Sequence, residues 1–172
     1  MKTRVIILLI IAFAYVNSFA QQQTFQDSLL DRMVGEWTLK GMIAGRETTH
    51  DVIASWILNH EYLQFHEISH EKDSEGSAAY EALVFIGWDS QLNQYSCLWL
   101  DNTGGGGLSA QAIAHAVRKG DDIMFLFKGA DGSNFHTTLA YDRNTDSWQW
   151  IMDGEENGKL QPFARVKLTR KK

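Results

Sequence analysis

The stretch AAYEALVFIGWDSQLNQYSCLWLD, residues 78–101, contains two runs of apolar and aromatic residues separated by a short polar segment. Runs of this kind bounded by Asp, Asn or Gly are typical of strands, and a short polar connection between them is typical of a hairpin. The carboxylate of Asp89 can accept a hydrogen bond from the backbone two residues later and close the turn. We therefore predict strands over 78–88 and 94–101, joined at Asp89–Asn93.

The same pattern returns further along the chain. Trp88 to Tyr95 and Tyr141 to Trp148 both read as an aromatic residue, an Asp, a polar segment and a second aromatic residue. The two aromatic side chains of each segment can pair across the strands of a hairpin. An exposed sugar-binding motif is the alternative interpretation, but the turn chemistry of Asp already accounts for the spacing.

Similar apolar runs separated by Gly, Asn and Asp follow one another along the chain. Together with the first pair they predict strands over 36–43, 48–58, 61–70, 108–118, 122–128, 134–141, 147–153 and 160–169. Phe25, Leu29, Leu30 and Met33 have helical spacing, which predicts a short amphipathic helix over 25–34. Short strands joined mostly by hairpins indicate an all-β fold, an antiparallel up-and-down β-barrel of about ten strands with a short N-terminal helix.

The first twenty residues predict export. Lys2 and Arg4 precede an apolar run from Val5 to Val16, and Ser18 and Ala20 supply small residues at a cleavage site. The run is shorter than the roughly 20 residues that span a bilayer, so we favour a signal peptide over an uncleaved anchor. We expect residues 1–20 to be removed and residues 21–172 to form a single domain without a stable membrane anchor, in the periplasm or outside the cell.

Charge and cysteine content exclude some classes of function. The chain has 16 Lys and Arg against 21 Asp and Glu, and loss of Lys2 and Arg4 would leave 14 against 21, a net charge of −7. Nucleic acids and anionic membranes need clustered positive charge, so we expect neither as a partner. Cys97 is the only cysteine, which rules out an intrachain disulfide, and its setting among large apolar residues predicts a buried structural thiol.

Several short motifs carry a family resemblance. The opening from Leu30 to Trp37, the Gly87-Trp88-Asp89 hairpin and the terminal Leu168–Lys171 resemble a bacterial lipocalin-like family of unknown function over residues 28–170. This family belongs to the calycin superfamily, with lipocalins, fatty-acid-binding proteins and nitrobindin-type barrels. The resemblance implies a barrel and gives little about a ligand.

The resemblance also implies a structural clasp and bears on haem. In calycins the Trp of the first strand packs beneath a basic residue near the end of the last strand, which here implies Trp37 with Arg165 or Arg170. Nitrobindin-type barrels bind haem through a His near the C-terminus. The last histidine here is His136, and the final predicted strand has none, so we expect no cofactor.

The densest group of polar side chains lies on the predicted strand 61–70. Alternation places His60, Tyr62, Gln64, His66, Ile68 and His70 on one face. Leu63 and Phe65 lie on the other face, and they are the alternative inward pair. Same-face residues four apart are about 13 Å apart, so a metal site would need His50 or His115 from a neighbouring strand. We expect no metal site, since no ligand motif is present.

A barrel of this size is either filled by side chains or holds one small ligand. The alternating alanines of strand 108–118 leave room inside or allow close packing, and Gly104–Gly107 suits a mobile lid or a long hairpin at the barrel mouth. The candidate ligand contacts are Trp56, Gln64, His66, Tyr80, Trp99, Phe125 and Trp150.

We therefore favour a monomeric or weakly dimeric protein that binds a small hydrophobic or amphipathic molecule over an enzyme. The first alternative is an enzyme acting on such a molecule, with His66 as general acid and base. A structural or interaction barrel with a filled core is the second alternative.

Overall fold

The computed structural model describes residues 25–103 and 108–172, which form a closed barrel of ten antiparallel strands. The strands are β1 (Gly35–Ile43), β2 (Arg46–Ile57), β3 (Tyr62–Ser69), β4 (Glu81–Asp89), β5 (Gln94–Asp101), β6 (Ile113–Lys119), β7 (Asp122–Lys128), β8 (Asn134–Asp142), β9 (Ser147–Glu156) and β10 (Lys159–Arg170). Each strand pairs with its neighbours in sequence, and β10 closes the barrel against β1. The prediction of an up-and-down barrel is confirmed. The predicted signal peptide and the Gly104–Gly107 loop lie outside the described residues.

Both aromatic–Asp hairpins form as predicted. Asp89 Oδ1 accepts hydrogen bonds from the backbone N–H groups of Gln91 and Leu92 at 2.9 and 3.0 Å. Asp142 Oδ1 accepts one from Asn144 at 2.9 Å. The flanking rings pair across the strands, with centroids 5.2 Å apart for Trp88 and Tyr95 and 4.9 Å for Tyr141 and Trp148.

Three predicted strand boundaries differ from the structure by three or more residues. Residues 78–80 precede β4, and the segment 108–112 holds a 3₁₀ turn at Ala110–Ala112 before β6 begins. The turn between β9 and β10 is only Asn157 and Gly158, with φ of 52° and 73°. Left-handed backbone at both central positions is the geometry of a tight hairpin, so Gly154 to Glu156 remain in β9.

The N-terminal segment contains a single 3₁₀ turn at Leu30–Met33 and not the predicted helix over 25–34. Asp27 Oδ1 accepts hydrogen bonds from the N–H groups of Leu29 and Leu30 at 2.7 and 3.0 Å, which stops the turn from extending backwards. The apolar spacing reflects packing: Leu29, Leu30 and Met33 are buried against one end of the barrel. We call this the closed end. It also holds the β2–β3, β4–β5, β6–β7 and β8–β9 turns.

Trp37 and Arg170, one of the two pairs considered for a clasp, are in contact at the closed end. The Arg170 guanidinium carbon lies 4.1 Å from the centroid of the Trp37 ring, and Trp37 Nε1 donates to Met33 O at 2.7 Å. Arg165 does not share this role, because its Nη2 donates to Asp153 Oδ1 at 2.5 Å in the middle of β10.

Candidate functional site

The barrel interior is divided into a packed half and an open half. Alternating side chains fill the closed end, where Trp37, Trp148, Phe125 and Ile123 are almost completely buried. Ala114 and Ala116 allow close packing there. The open half is a cavity of about 920 Å³ at the end that holds the β1–β2, β3–β4, β5–β6, β7–β8 and β9–β10 connections.

Three aromatic side chains that pack against one another lie between the two halves. The ring of Trp150 lies 5.1 Å from that of Trp99 and 6.1 Å from that of Phe65, centroid to centroid. Trp150 and Phe65 are buried in the core, and Trp99 lines the cavity above them. Trp99 therefore forms the floor of the cavity, and the core rings of Trp150 and Phe65 lie beneath it.

One wall of the cavity is apolar. It consists of Ile43, Phe127, Phe135, Met152 and Phe163. Phe163 reaches this wall because the register between β9 and β10 shifts between Pro162 and Ala164, so Phe163 is the extra residue of a bulge. Its ring meets that of Phe135 edge to face at 5.4 Å. This wall suits the apolar body of a ligand.

The opposite wall is polar and comes from β2 and β3. His50 Nδ1 lies 2.5 Å from Glu67 Oε1, and His50 Nε2 lies 2.7 Å from Thr48 Oγ1. Thr48 Oγ1 also lies 3.1 Å from Glu71 Oε2. His50 and Glu67 are only 4% and 2% exposed. An imidazole and a carboxylate buried beside an apolar cavity are costly unless they hydrogen-bond each other, as these two do.

Tyr80 covers the imidazole from the side of the cavity. Its ring stacks on that of His50 with centroids 5.6 Å apart, and its hydroxyl oxygen accepts a hydrogen bond from Trp99 Nε1 at 3.1 Å. Burial, with a contribution from the negative charge of Glu67, raises the pKa of Tyr80 far above its usual range. The hydroxyl therefore stays protonated and can donate a hydrogen bond to a ligand.

The structure places two of the seven candidate ligand contacts, Tyr80 and Trp99, in the cavity. Trp150 and Phe125 belong to the packed core. Trp56 lies at the closed end, where Nε1 donates to Asp31 Oδ1 at 2.9 Å. These last three side chains do not line the cavity.

The face assignment of the polar strand is corrected. Leu63, Phe65, Glu67 and Ser69 are buried and point inward, so the alternative phase is the right one. Gln64 and His66 therefore lie on the outer surface, where His66 Nε2 lies 2.7 Å from Glu81 Oε1. The phase preferred from the sequence was wrong because it was chosen for placing several histidines on one face. Burial of Leu63 and Phe65 removes apolar area from water, whereas Gln64 and His66 avoid the cost of burying polar groups by remaining at the outer surface.

The polar wall was only partly foreseen. His50 was considered solely as a metal ligand, and Thr48, Glu67 and Glu71 were not considered. The available signal was the alternation of β3, since Glu67 and Ser69 share the phase of Leu63 and Phe65. On β2, Thr48 and His50 likewise share the phase of Val52 and Ala54.

Two further chemistries find little support in the described residues. Within 25–103 and 108–172, no three His, Cys, Asp or Glu side chains are grouped so that they could hold a metal ion. Cys97 is buried, and burial raises the pKa of its thiol well above the usual range, which keeps it protonated and unreactive.

Comparison with known proteins identifies no family: no protein-family model matches the chain, and no curated protein sequence matches it. Among the residues that the structure describes, no helix has the length and hydrophobicity to cross a bilayer.

Proposed function

We propose that this protein is an exported, lipocalin-like barrel that binds one small hydrophobic or amphipathic molecule in the open half of its interior. The observation that carries the proposal is the cavity of about 920 Å³, closed below by Trp99, which packs on Trp150, and lined by one apolar and one polar wall. Small-molecule sites in proteins are concave, mostly apolar and of about 300–1,000 Å³, with a few polar groups that orient the ligand.

The two walls define how such a molecule would lie. Its apolar body would pack against Phe127, Phe135 and Met152, and its polar end would meet His50 and Tyr80 across the cavity. Contact with the aromatic wall supplies affinity through apolar area removed from water. The buried Tyr80 hydroxyl supplies selectivity, because a ligand without a polar end would leave its hydrogen-bond donor unused.

Export and the calycin relationship are part of the proposal. The pattern from Lys2 to Ala20 supports cleavage and release into the periplasm or the exterior. The closed antiparallel barrel and the Trp37–Arg170 clasp support a lipocalin-like fold. We further propose that the protein acts as a monomer or weak dimer.

The first test is native mass spectrometry of the mature protein purified from its own host. A bound small molecule that leaves on collisional activation supports the proposal and gives the mass of the ligand. The second test is calorimetric titration with decanol, decylamine and decanoate, which share one apolar chain. Binding with a negative heat-capacity change supports burial of the chain. A bare polypeptide mass together with no binding of any of the three probes would overturn the proposal.

A further inference from the structure

The polar wall of the cavity contains a hydroxyl, an imidazole and a carboxylate in series. Thr48 Oγ1 lies 2.7 Å from His50 Nε2, and His50 Nδ1 lies 2.5 Å from Glu67 Oε1. Thr48 and His50 are two residues apart on β2 and point inward together. Glu67 lies on β3 beside His50, since its register partner is Val52 and that of His50 is Ser69. The geometry of a nucleophile, a base and an orienting acid requires contacts of about 2.6–3.2 Å in this order.

Glu67 determines the tautomer of the imidazole. An ionised carboxylate only accepts hydrogen bonds, so the nitrogen that faces Glu67 carries the hydrogen. In the neutral imidazole, Nε2 then presents its lone pair to the hydroxyl of Thr48. Since Glu67 is 2% exposed, water does not compete for its carboxylate. The base is therefore oriented before any ligand enters.

Glu71 is a second acceptor for the Thr48 hydroxyl, but it lies at a longer distance and is more exposed to water. Its Oε2 lies 3.1 Å from Thr48 Oγ1, and about half of its side chain is exposed. Water can satisfy this carboxylate when the hydroxyl proton points to His50. Glu71 is thus compatible with transfer of the Thr48 proton to the imidazole.

Tyr80 supplies a hydrogen-bond donor in the same cavity. Its oxygen accepts from Trp99 Nε1, and among the described residues no acceptor receives the Tyr80 hydroxyl hydrogen. Tyrosine hydroxyls can stabilise the negative oxygen that develops during acyl transfer. The Tyr80 ring stacks on the His50 ring, so donor and base lie on one side of the cavity.

We propose that the cavity hydrolyses esters of apolar carboxylic acids, with Thr48 as nucleophile, His50 as base, Glu67 as its orienting acid and Tyr80 as oxyanion donor. This inference rests on the proposed function, since the apolar wall that would hold a ligand also holds the acyl chain. It assigns to His50 the acid–base role that the sequence had suggested for His66.

The reaction balances with water as the only co-reactant. Thr48 Oγ bonds to the ester carbonyl carbon while its proton moves to His50 Nε2, and the carbonyl oxygen becomes negative against the Tyr80 hydroxyl. The bond to the alcohol oxygen then breaks, and the alcohol leaves with the proton from His50. Water attacks the acyl-threonine with His50 again as base, which releases the carboxylic acid and restores Thr48.

The test is hydrolysis of p-nitrophenyl decanoate by the wild type and by four variants. We expect Thr48→Val and His50→Gln to lower kcat at least about 100-fold, since removing one member of such a triad typically costs about 10⁴-fold or more. Thr48→Ser keeps the hydroxyl and should retain activity. Thr49→Val changes the neighbouring outward threonine of β2 and is the matched control with unchanged activity. A long-chain alkyl fluorophosphonate should add its phosphonyl mass to the peptide that contains Thr48.

Decanol binding by each variant shows whether its cavity is intact, and it separates the two proposals. Decanol binding without hydrolysis above the rate in buffer would overturn the esterase inference and leave the binding function standing. Hydrolysis that survives Thr48→Val, or labelling at another residue, would overturn the assignment of the nucleophile. If the wild type neither bound decanol nor hydrolysed the ester, both proposals would be overturned.

Discussion

Arg170, two residues from the C-terminus, places its guanidinium carbon 4.1 Å from the ring centroid of Trp37 near the start of β1. The same side chain donates to the carbonyl oxygens of Val34 and Arg32, both at 2.9 Å, and to Asp146 Oδ2 at 2.8 Å. One residue of the last strand thus ties together the N-terminal turn, the first strand and the β8–β9 turn. The clasp therefore stabilises the closed end of the barrel, and the cavity lies at the opposite end.

Replacing Arg170 with Lys should destabilise the fold although the charge is kept. An ammonium cannot reproduce the planar fork that reaches two carbonyls and a carboxylate while lying over the indole. We expect the free energy of unfolding to fall by about 1–3 kcal/mol, measured by urea denaturation. Arg143→Lys is the control, since that arginine forms an exposed ion pair with Asp121 and its replacement should change stability far less. Equal effects of the two substitutions would contradict the clasp.

Gly35 is required beside this clasp. A Cβ atom at this position would lie 2.6 Å from Arg170 Nη1, and the backbone φ is +132°. Gly35→Ala should therefore lower the free energy of unfolding by about 1–3 kcal/mol. Gly154→Ala in β9 is the matched control, because its Cβ would meet nothing within 4 Å. That substitution should leave stability unchanged or raise it by up to about 1 kcal/mol, and a loss as large as that of Gly35→Ala would refute the steric explanation.

Tyr95 should make stability depend on alkaline pH. Its hydroxyl donates to Asp27, and burial, helped by that carboxylate, raises the pKa of Tyr95 to about 12 from 10.0. Because the unfolded chain loses this proton more readily, the contribution is complete below pH 10 and is lost as pH rises towards about 12. Urea denaturation between pH 9 and 12 should show a steeper fall in the free energy of unfolding for the wild type than for Tyr95→Phe. Parallel curves would contradict the assignment.

Ligand affinity should depend on the apolar wall and not on the outer surface next to it. Phe127 faces the cavity, whereas Leu126 points outward from the same strand. Phe127→Asp places a carboxylate where the apolar chain of decanol would lie, so the dissociation constant should rise about tenfold or more. Leu126→Asp should leave it unchanged in the same calorimetric titration. Similar losses in both variants would place the binding site elsewhere.

Local chemistry made most of the strand pattern predictable. Asp89 and Asp142 close their turns through contacts only two or three residues long, which a sequence displays directly. The predicted helix over 25–34 was wrong. Leu29, Leu30 and Met33 are apolar because they pack against the end of the barrel, and in so short a segment such a pattern cannot be distinguished from helical spacing. The 3₁₀ turn before β6 was missed for a similar reason, since alternating alanines continue through it.

The candidate site was harder to predict because its residues meet only across strands. Tyr80 and Trp99 could be selected as large side chains with a polar group, and both line the cavity. The pairing of His50 with Glu67 joins residues 17 positions apart, and it depends on the register between β2 and β3. A single sequence does not reveal which residues of β2 and β3 lie opposite each other.

The sequence by itself determined the all-β class, the order of the hairpins and the two aromatic–Asp turns, because these depend on side chains close together in the chain. Only the tertiary structure decided which phase of each strand points inward, since alternation permits two phases and the choice depends on what the neighbouring strands bury. That choice placed His66 outside and Glu67 inside. It also left the barrel packed around Trp37 and Trp148 at one end and open around His50 at the other.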